Sequence, residues 1–244
     1  MPKRPQAGSE PDLGLITLAG SVALRGLLLR AGTTMMTRPP TKGPLPEGVR
    51  LLSGRLDRPA QEALRDTVRA LARLAPFFRP EMPRSAKPFS VRMTNCGSLG
   101  WVSDREGYRY QPLHPVTGLP WPPIPPILIG LWRELADFPA LPEACLVNFY
   151  DGDARMGLHQ DADEAERGAP VLSVSLGDDC LFRLGGLKRS DPTRSFRLAS
   201  GDVLLFGGPS RLIFHGVDRI DAGTSSLLER GGRINLTLRR VTPP

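Results

Sequence analysis

Arg233-Ile-Asn-Leu-Thr-Leu-Arg239 is the stretch on which the fold turns. Polar and apolar side chains alternate with period two, the pattern of a strand that shows one face to a core. Ile234, Leu236 and Leu238 fall on one face, and Arg233, Asn235, Thr237 and Arg239 on the other. Two guanidiniums on an inward face are costly unless anions neutralise them. A dicarboxylate supplies two such anions, and an arginine fork grips a carboxylate in bidentate geometry. A solvated basic face on an edge strand gives the same pattern, so this strand needs support from elsewhere.

Upstream of it the chain reads as short strands separated by turn signals. The candidates are 146–150, 171–176, 180–184, 195–198, 202–206 and 212–215, with the quoted strand read as 234–240. Asp151-Gly152, Gly177-Asp178, Asp191-Pro192 and Ser200-Gly201 supply the turns. Many short strands at this spacing predict a sandwich or jelly roll.

The same region holds two of the three histidines. His159 and Asp161 are two residues apart, so in an extended segment both face one side. His215 ends an apolar candidate strand. Two histidines and one carboxylate can occupy one face of an octahedral iron, leaving positions for a co-substrate and dioxygen. His-x-Asp alone is a weak signal, because 151–164 also reads as a polar, turn-rich stretch. His114, in Leu113-His114-Pro115, reads as a surface histidine.

The first part of the chain differs. From Pro59, Leu64, Val68, Leu71 and Leu74 recur at helical spacing, and Leu128–Ala136 predicts a second helix. Between them lies an aromatic region rich in Gly and Pro, with Trp101, Tyr108, Tyr110 and Trp121. Residues 1–46 carry Lys3, Arg4, Arg25, Arg30, Arg38 and Lys42 against Glu10 and Asp12, and so hold more than half of the net +7 of the 244-residue chain. Their apolar run Ile16–Leu29 is shorter than the roughly 20 residues a bilayer requires. Met35 or Met36 is an alternative start. Apolar residues at 40% and charged residues at 23% exclude wholesale disorder. Three cysteines without close spacing argue against a disulfide scaffold or a cysteine-based zinc site, and for a reducing compartment.

His159-x-Asp161, His215 and Arg233-x-Asn-x-Thr-x-Arg239, in this order, resemble the AlkB family of Fe(II)- and 2-oxoglutarate-dependent dioxygenases, which oxidatively dealkylate nucleic-acid bases. Met93-Thr-Asn-Cys-Gly-Ser-Leu-Gly-Trp101, Gly107-Tyr-Arg-Tyr110, Leu158-His-Gln-Asp-Ala-Asp-Glu164, Gly185-Gly-Leu-Lys-Arg-Ser-Asp-Pro192 and Phe206-Gly-Gly-Pro-Ser-Arg211 carry the likeness further. It spans about residues 47–241.

The resemblance implies a mainly β (α+β) double-stranded β-helix, or jelly roll. Residues 1–46 would be a disordered extension, 47–140 an N-terminal helix and nucleotide-recognition lid, and 141–242 the dioxygenase core. It makes His159, Asp161 and His215 the iron ligands. Asn148, Tyr150, Arg233, Asn235, Thr237 and Arg239 would hold 2-oxoglutarate, with Arg233 on its distal carboxylate and Arg239 nearer the end that chelates iron. Trp101, Tyr108, Arg109, Tyr110, Asp163 and Arg189 would bind the substrate. It further implies a cytoplasmic monomer acting on alkylated single- or double-stranded DNA, with RNA as an alternative, and no membrane partner. Ser98 and Asp104 stand where bacterial repair members carry histidines. Phe206 replaces a tryptophan, a change expected to leave the metal set untouched. An oxygenase of proteins or small molecules, or a non-catalytic nucleic-acid-binding relative, are the competing readings.

Overall fold

The computed structural model describes residues 43–244. The extension's residues 1–42, with Ile16–Leu29 and both alternative starts, lie outside them. Two antiparallel sheets face one another. The larger has six strands: β1 (Val49–Leu52), β2 (Arg92–Gly97), β5 (Ala144–Tyr150), β7 (Val171–Gly177), β10 (Val203–Phe206) and β12 (Arg233–Arg239), in the order β1-β10-β7-β12-β5-β2. The smaller has four: β6 (Met156–His159), β8 (Asp179–Leu184), β9 (Arg194–Leu198) and β11 (His215–Asp221), in the order β6-β11-β8-β9. The hairpin of β3 (Gly100–Asp104) and β4 (Gly107–Gln111) joins neither ladder and is tied to β2 through the Asn95 side chain. This is the jelly roll that the turn-separated strands predicted.

The strand quoted first shows why the layers form. Ile234, Leu236 and Leu238 pack with Cys145, Val147, Leu172, Val174 and Leu176 into a core shared with two helices. These are α1 (Arg58–Leu74) and α2 (Pro126–Leu135). α1 begins where the Asp57 side chain accepts from the Ala60 N–H at 3.0 Å, a normal N-cap, and buries Leu64, Val68 and Leu71. Leu74 does not follow them. The helical repeat has drifted off the buried stripe by that residue, the last of the helix, and its side chain is exposed. On the opposite face of the large sheet, Leu146, Tyr150, Leu204 and Phe206 pack with Phe182, Leu184, Phe196 and Leu198 of the small sheet.

Other expectations shift in detail. The strand placed at 212–215 starts only at His215 and runs on to Asp221. Before it the chain turns, with the Ile213 N–H donating to the Ser210 carbonyl at 3.1 Å. The stretch read as turns contains β6. β1 and β2, which precede residue 141, form the two edges of the large sheet. Leu45 packs against the core between the sheets, so the end of the segment expected to be a disordered extension is docked. No described helix is long and apolar enough to cross a membrane. Cys96, Cys145 and Cys180 are all buried.

Candidate metal and co-substrate site

His159 and His215 meet because β6 and β11 pair with these two residues directly opposite. Gly216 permits the close approach: a Cβ there would lie 2.6 Å from the Met156 carbonyl oxygen. The imidazole centroids are 4.4 Å apart. Asp161 lies just beyond β6, with its two carboxylate oxygens 3.8 Å from His159 Nε2 and 3.9 Å from His215 Nε2. One ligand atom from each of the three residues falls within 4.8 Å of the others. Each Nδ1 contacts a backbone carbonyl, Gly157 at 2.9 Å for His159 and Ile213 at 3.0 Å for His215. With Nδ1–H donating there, both Nε2 lone pairs are free to converge on one point, the arrangement metal-ligating histidines require. The donor set therefore fits a divalent iron with open positions.

Electrostatics keep these groups in ligating form. Burial and the adjacent His159 push His215 down to about 4, so its ring is neutral at pH 7. Burial opposes ionisation of Asp161, but the Arg239 guanidinium and both imidazoles outweigh it and hold the carboxyl well below the usual range. Arg239 grips Asp161 with both arms, Nη2 to Oδ1 at 2.9 Å and Nε to Oδ2 at 3.1 Å. Arg239 is thus part of the carboxylate's support as well as a lining residue.

The site opens into a cavity of about 250 Å³ between the sheets, lined by Asn148, Tyr150, Arg233, Asn235, Thr237 and Arg239 on the large-sheet side. The polar face of β12 thus points into it along its whole length. Arg233 is only 1% exposed. Its Nη1 reaches the Asp178 carbonyl at 3.2 Å and its Nη2 the Ser175 hydroxyl at 2.6 Å, but its Nε is buried without a partner. Among the described residues it has no ion pair. The Asn148 Oδ1 is likewise buried and unsatisfied. A buried cation beside the buried Tyr150 phenol, which burial keeps as a neutral donor, fits an anionic co-substrate. Asn235 and Thr237 are satisfied locally, Asn235 donating to the Ser173 hydroxyl at 2.6 Å and accepting from Thr237 at 2.8 Å.

Across the cavity stands the β3–β4 hairpin. Trp101 pairs with Tyr110 and Ser103 with Tyr108, so these four side chains share a face. Trp101 and Tyr108 line the cavity and stack at 5.6 Å with an 18° tilt. The Trp101 indole N–H donates to Asp163 Oδ2 at 2.8 Å. Arg189, exposed, donates to the Leu158 carbonyl at 2.8 Å, one residue before His159.

Two expected substrate contacts fall elsewhere. Arg109 lies on the opposite face of the hairpin, across from the buried Val102, and is not in the lining. Asp104 takes both of its terminal nitrogens at 2.8 Å, and that bond lowers the pKa of the Asp104 carboxyl. Tyr110 points inward, its hydroxyl donating to Glu164 and lying 3.4 Å from Arg239 Nη1. Phe206 corrects a third expectation. Its ring lines the cavity 4.7 Å from the His215 ring, so the replacement of tryptophan does touch the metal set. His114 is not on the surface but 1% exposed, because Phe78 and Trp121 enclose it. Its Nε2 donates to the Pro76 carbonyl at 2.8 Å and its Nδ1 accepts from the Val116 and Thr117 amides at 3.1 and 3.2 Å.

Sequence reading did not single out Glu164 and Arg211. Both are buried, and they pair at 3.1 Å directly behind Asp161. Both end segments carrying the resemblance, but nothing in their spacing announces a buried ion pair.

Comparison with known proteins agrees with this geometry. The family described as the 2OG-Fe(II) oxygenase superfamily matches residues 48–239. An alpha-ketoglutarate-dependent dioxygenase AlkB homolog of Caulobacter vibrioides is 55% identical over 221 residues, covering 91% of this chain and 96% of its own. The alpha-ketoglutarate-dependent dioxygenase AlkB of Escherichia coli is 41% identical over 208 residues, 83% and 94% of the respective chains. The solved structure of OsALKBH1 superposes with a TM-score of 0.70 at 33% identity, over 82% of this chain and all (100%) of its own.

Proposed function

From the chain's membership of the 2OG-Fe(II) oxygenase superfamily, and within it of the AlkB family, we propose that it demethylates bases such as 1-methyladenine and 3-methylcytosine in DNA. It is an Fe(II)- and 2-oxoglutarate-dependent dioxygenase acting on alkylated nucleic acids. The single observation that carries the site assignment is Arg233, a buried guanidinium without a carboxylate partner among the described residues, facing the cavity that His159, Asp161 and His215 also line.

In this reading His159, Asp161 and His215 hold iron, and Arg233 receives the distal carboxylate of 2-oxoglutarate, with Asn148 and Tyr150 beside it. Arg239, Asn235 and Thr237 complete the co-substrate wall. Bound iron and 2-oxoglutarate supply the oxidation, in which dioxygen is consumed and succinate, carbon dioxide and formaldehyde leave. The protein positions the methyl carbon and keeps bulk water away. Apolar walls from Phe89, Met93, Phe182 and Phe206 serve that exclusion. Trp101 offers its face to the flipped base, and a cationic base gains roughly 0.5–2 kcal/mol there. Asp163 adds a negative charge at the same edge. Methylation on the pairing edge weakens the pair and so lowers the cost of extruding the base. Residues 47–140 supply the N-terminal helix and the nucleotide-recognition lid and 141–242 the dioxygenase core, working as a monomer in the cytoplasm.

The test is formaldehyde release, with Fe(II) and 2-oxoglutarate, from matched oligonucleotides bearing 1-methyladenine, 3-methylcytosine or 1-methylguanine as single-stranded DNA, duplex DNA or RNA. Turnover of the methylated DNA is expected. No turnover of any methylated strand, alongside turnover of a peptide or small molecule, overturns the substrate assignment.

A further inference from the structure

One rung of the lid hairpin reaches two consecutive acidic residues. Trp101 and Tyr110 face each other across β3 and β4. Trp101 holds Asp163 and Tyr110 holds Glu164. Asp163 is exposed, whereas Glu164 is 3% exposed, so the second tie is the one sheltered from water. Both acids belong to the segment that starts at the candidate metal ligand Asp161.

Glu164 is the hub of a buried, charge-balanced quartet. Its Oε2 accepts from Arg211 Nη2 at 3.1 Å, and its Oε1 lies 3.4 Å from Arg239 Nε. Arg211 also donates to the Asp161 carbonyl at 2.7 Å, and Arg239 clasps the Asp161 carboxylate. Two carboxylates and two guanidiniums are thus locked together, and Tyr110 enters this cluster from the lid hairpin. Tyr110 is partly buried, and burial raises its pKa well above the ordinary value, so it enters as a neutral donor.

We infer that Tyr110 and Glu164 are positioning residues that couple the lid hairpin to Arg239 and Asp161, so that nucleic-acid binding and co-substrate binding strengthen each other. When the hairpin is seated, the Tyr110 hydroxyl occupies Glu164 Oε1. That donor shares the oxygen with Arg239, which lies 3.4 Å away, and so weakens its pull on the guanidinium, leaving it to Asp161 and to the co-substrate. When the hairpin lifts, Glu164 loses this donor, turns its full charge on Arg239 and competes with the incoming carboxylate. Tyr110 thereby acts from the face it shares with Trp101, through Glu164 and not on the base. This coupling rests on the proposed function above, in which Arg239 borders the 2-oxoglutarate site and the hairpin covers the base.

The experiment is a calorimetric titration of 2-oxoglutarate into the full-length protein loaded with Mn(II), without turnover, in the presence and absence of a saturating 1-methyladenine trinucleotide. The quantity read is the ratio of the two Kd values. In the wild-type protein the trinucleotide should tighten 2-oxoglutarate by about five-fold or more, and reciprocity requires the same factor in the reverse titration. In Tyr110→Phe, which keeps the ring and loses the hydroxyl, the ratio should fall toward one. Glu164→Gln, which keeps the shape and loses the charge, should also abolish it. A Tyr110→Phe ratio equal to that of the wild type, or a wild-type ratio of one while both ligands bind, overturns the inference. Failure of the wild-type protein to bind 2-oxoglutarate or the methylated strand at all would instead strike at the proposed function.

Discussion

Replacing Arg233 by methionine should separate binding from stability. The side chain is 1% exposed and has no ion-pair partner among the described residues. Its bonds are a 2.6 Å contact to Ser175 and longer ones of 3.2 and 3.4 Å to the Asp178 and Leu198 carbonyls. Hydrogen bonds from a charged group are worth about 1.5–3 kcal/mol each at good geometry. Removing the ion also removes a desolvation penalty of several kcal/mol. The two nearly offset, so the metal-free variant should unfold within about 2 kcal/mol of the wild type. Losing a buried fork on a carboxylate costs about 2–5 kcal/mol, or about 30-fold to several thousand-fold in the Kd of 2-oxoglutarate. Urea unfolding of the metal-free protein and calorimetric titration of the Mn(II)-loaded protein measure the two quantities. A stability loss of about 3–5 kcal/mol with unchanged co-substrate affinity is what a structural ion pair would give, and it would refute the reasoning.

Three further outcomes are expected. In the metal-free protein His215 titrates at about 4 instead of the ordinary 6.5, so the folded state binds fewer protons between those values. The stability present above pH 6.5 should therefore drop by roughly 3 kcal/mol as pH falls through 4, and His215→Gln should lessen that drop; an identical pH profile for the variant would contradict the assignment. His114→Ala should cost roughly 2–4 kcal/mol, since it opens a cavity and strands two amides and a carbonyl; a loss within about 0.5 kcal/mol in denaturant unfolding is the behaviour of a surface residue. Asp163→Asn can keep the bond from Trp101 while removing the charge, so turnover of cationic 1-methyladenine should fall further than that of neutral 1-methylguanine. Equal losses on the two substrates would remove the charge-recognition role.

What the sequence revealed follows from how local each signal is. The alternation of β12 needs only seven consecutive residues, and it separated the core face from the polar one, while leaving open whether the polar face met solvent or, as the structure has it, a cavity. The helix on Pro59 was legible from its buried stripe for the same reason. Signals that depend on distant partners were hidden. His114 looks like a loop residue until Phe78 and Trp121 close over it. The outward aim of Arg109 follows from period-two alternation only once the register pairing Trp101 with Tyr110 is known. Glu164 needs Arg211, 47 residues further on, before its burial makes physical sense. β6 was obscured by its turn-rich flanks, although its pairing with β11 is what sets His159 opposite His215.

The most direct measurement of the central claim is the stoichiometry of products released from a 1-methyladenine oligonucleotide by the Fe(II)-loaded protein with 2-oxoglutarate, compared between wild type and His159→Ala. The account predicts one formaldehyde per succinate from the wild type, no formaldehyde from the unmethylated strand, and loss of both products in the variant. Undiminished formaldehyde release by His159→Ala, or succinate without formaldehyde from the wild type on methylated DNA, would contradict it.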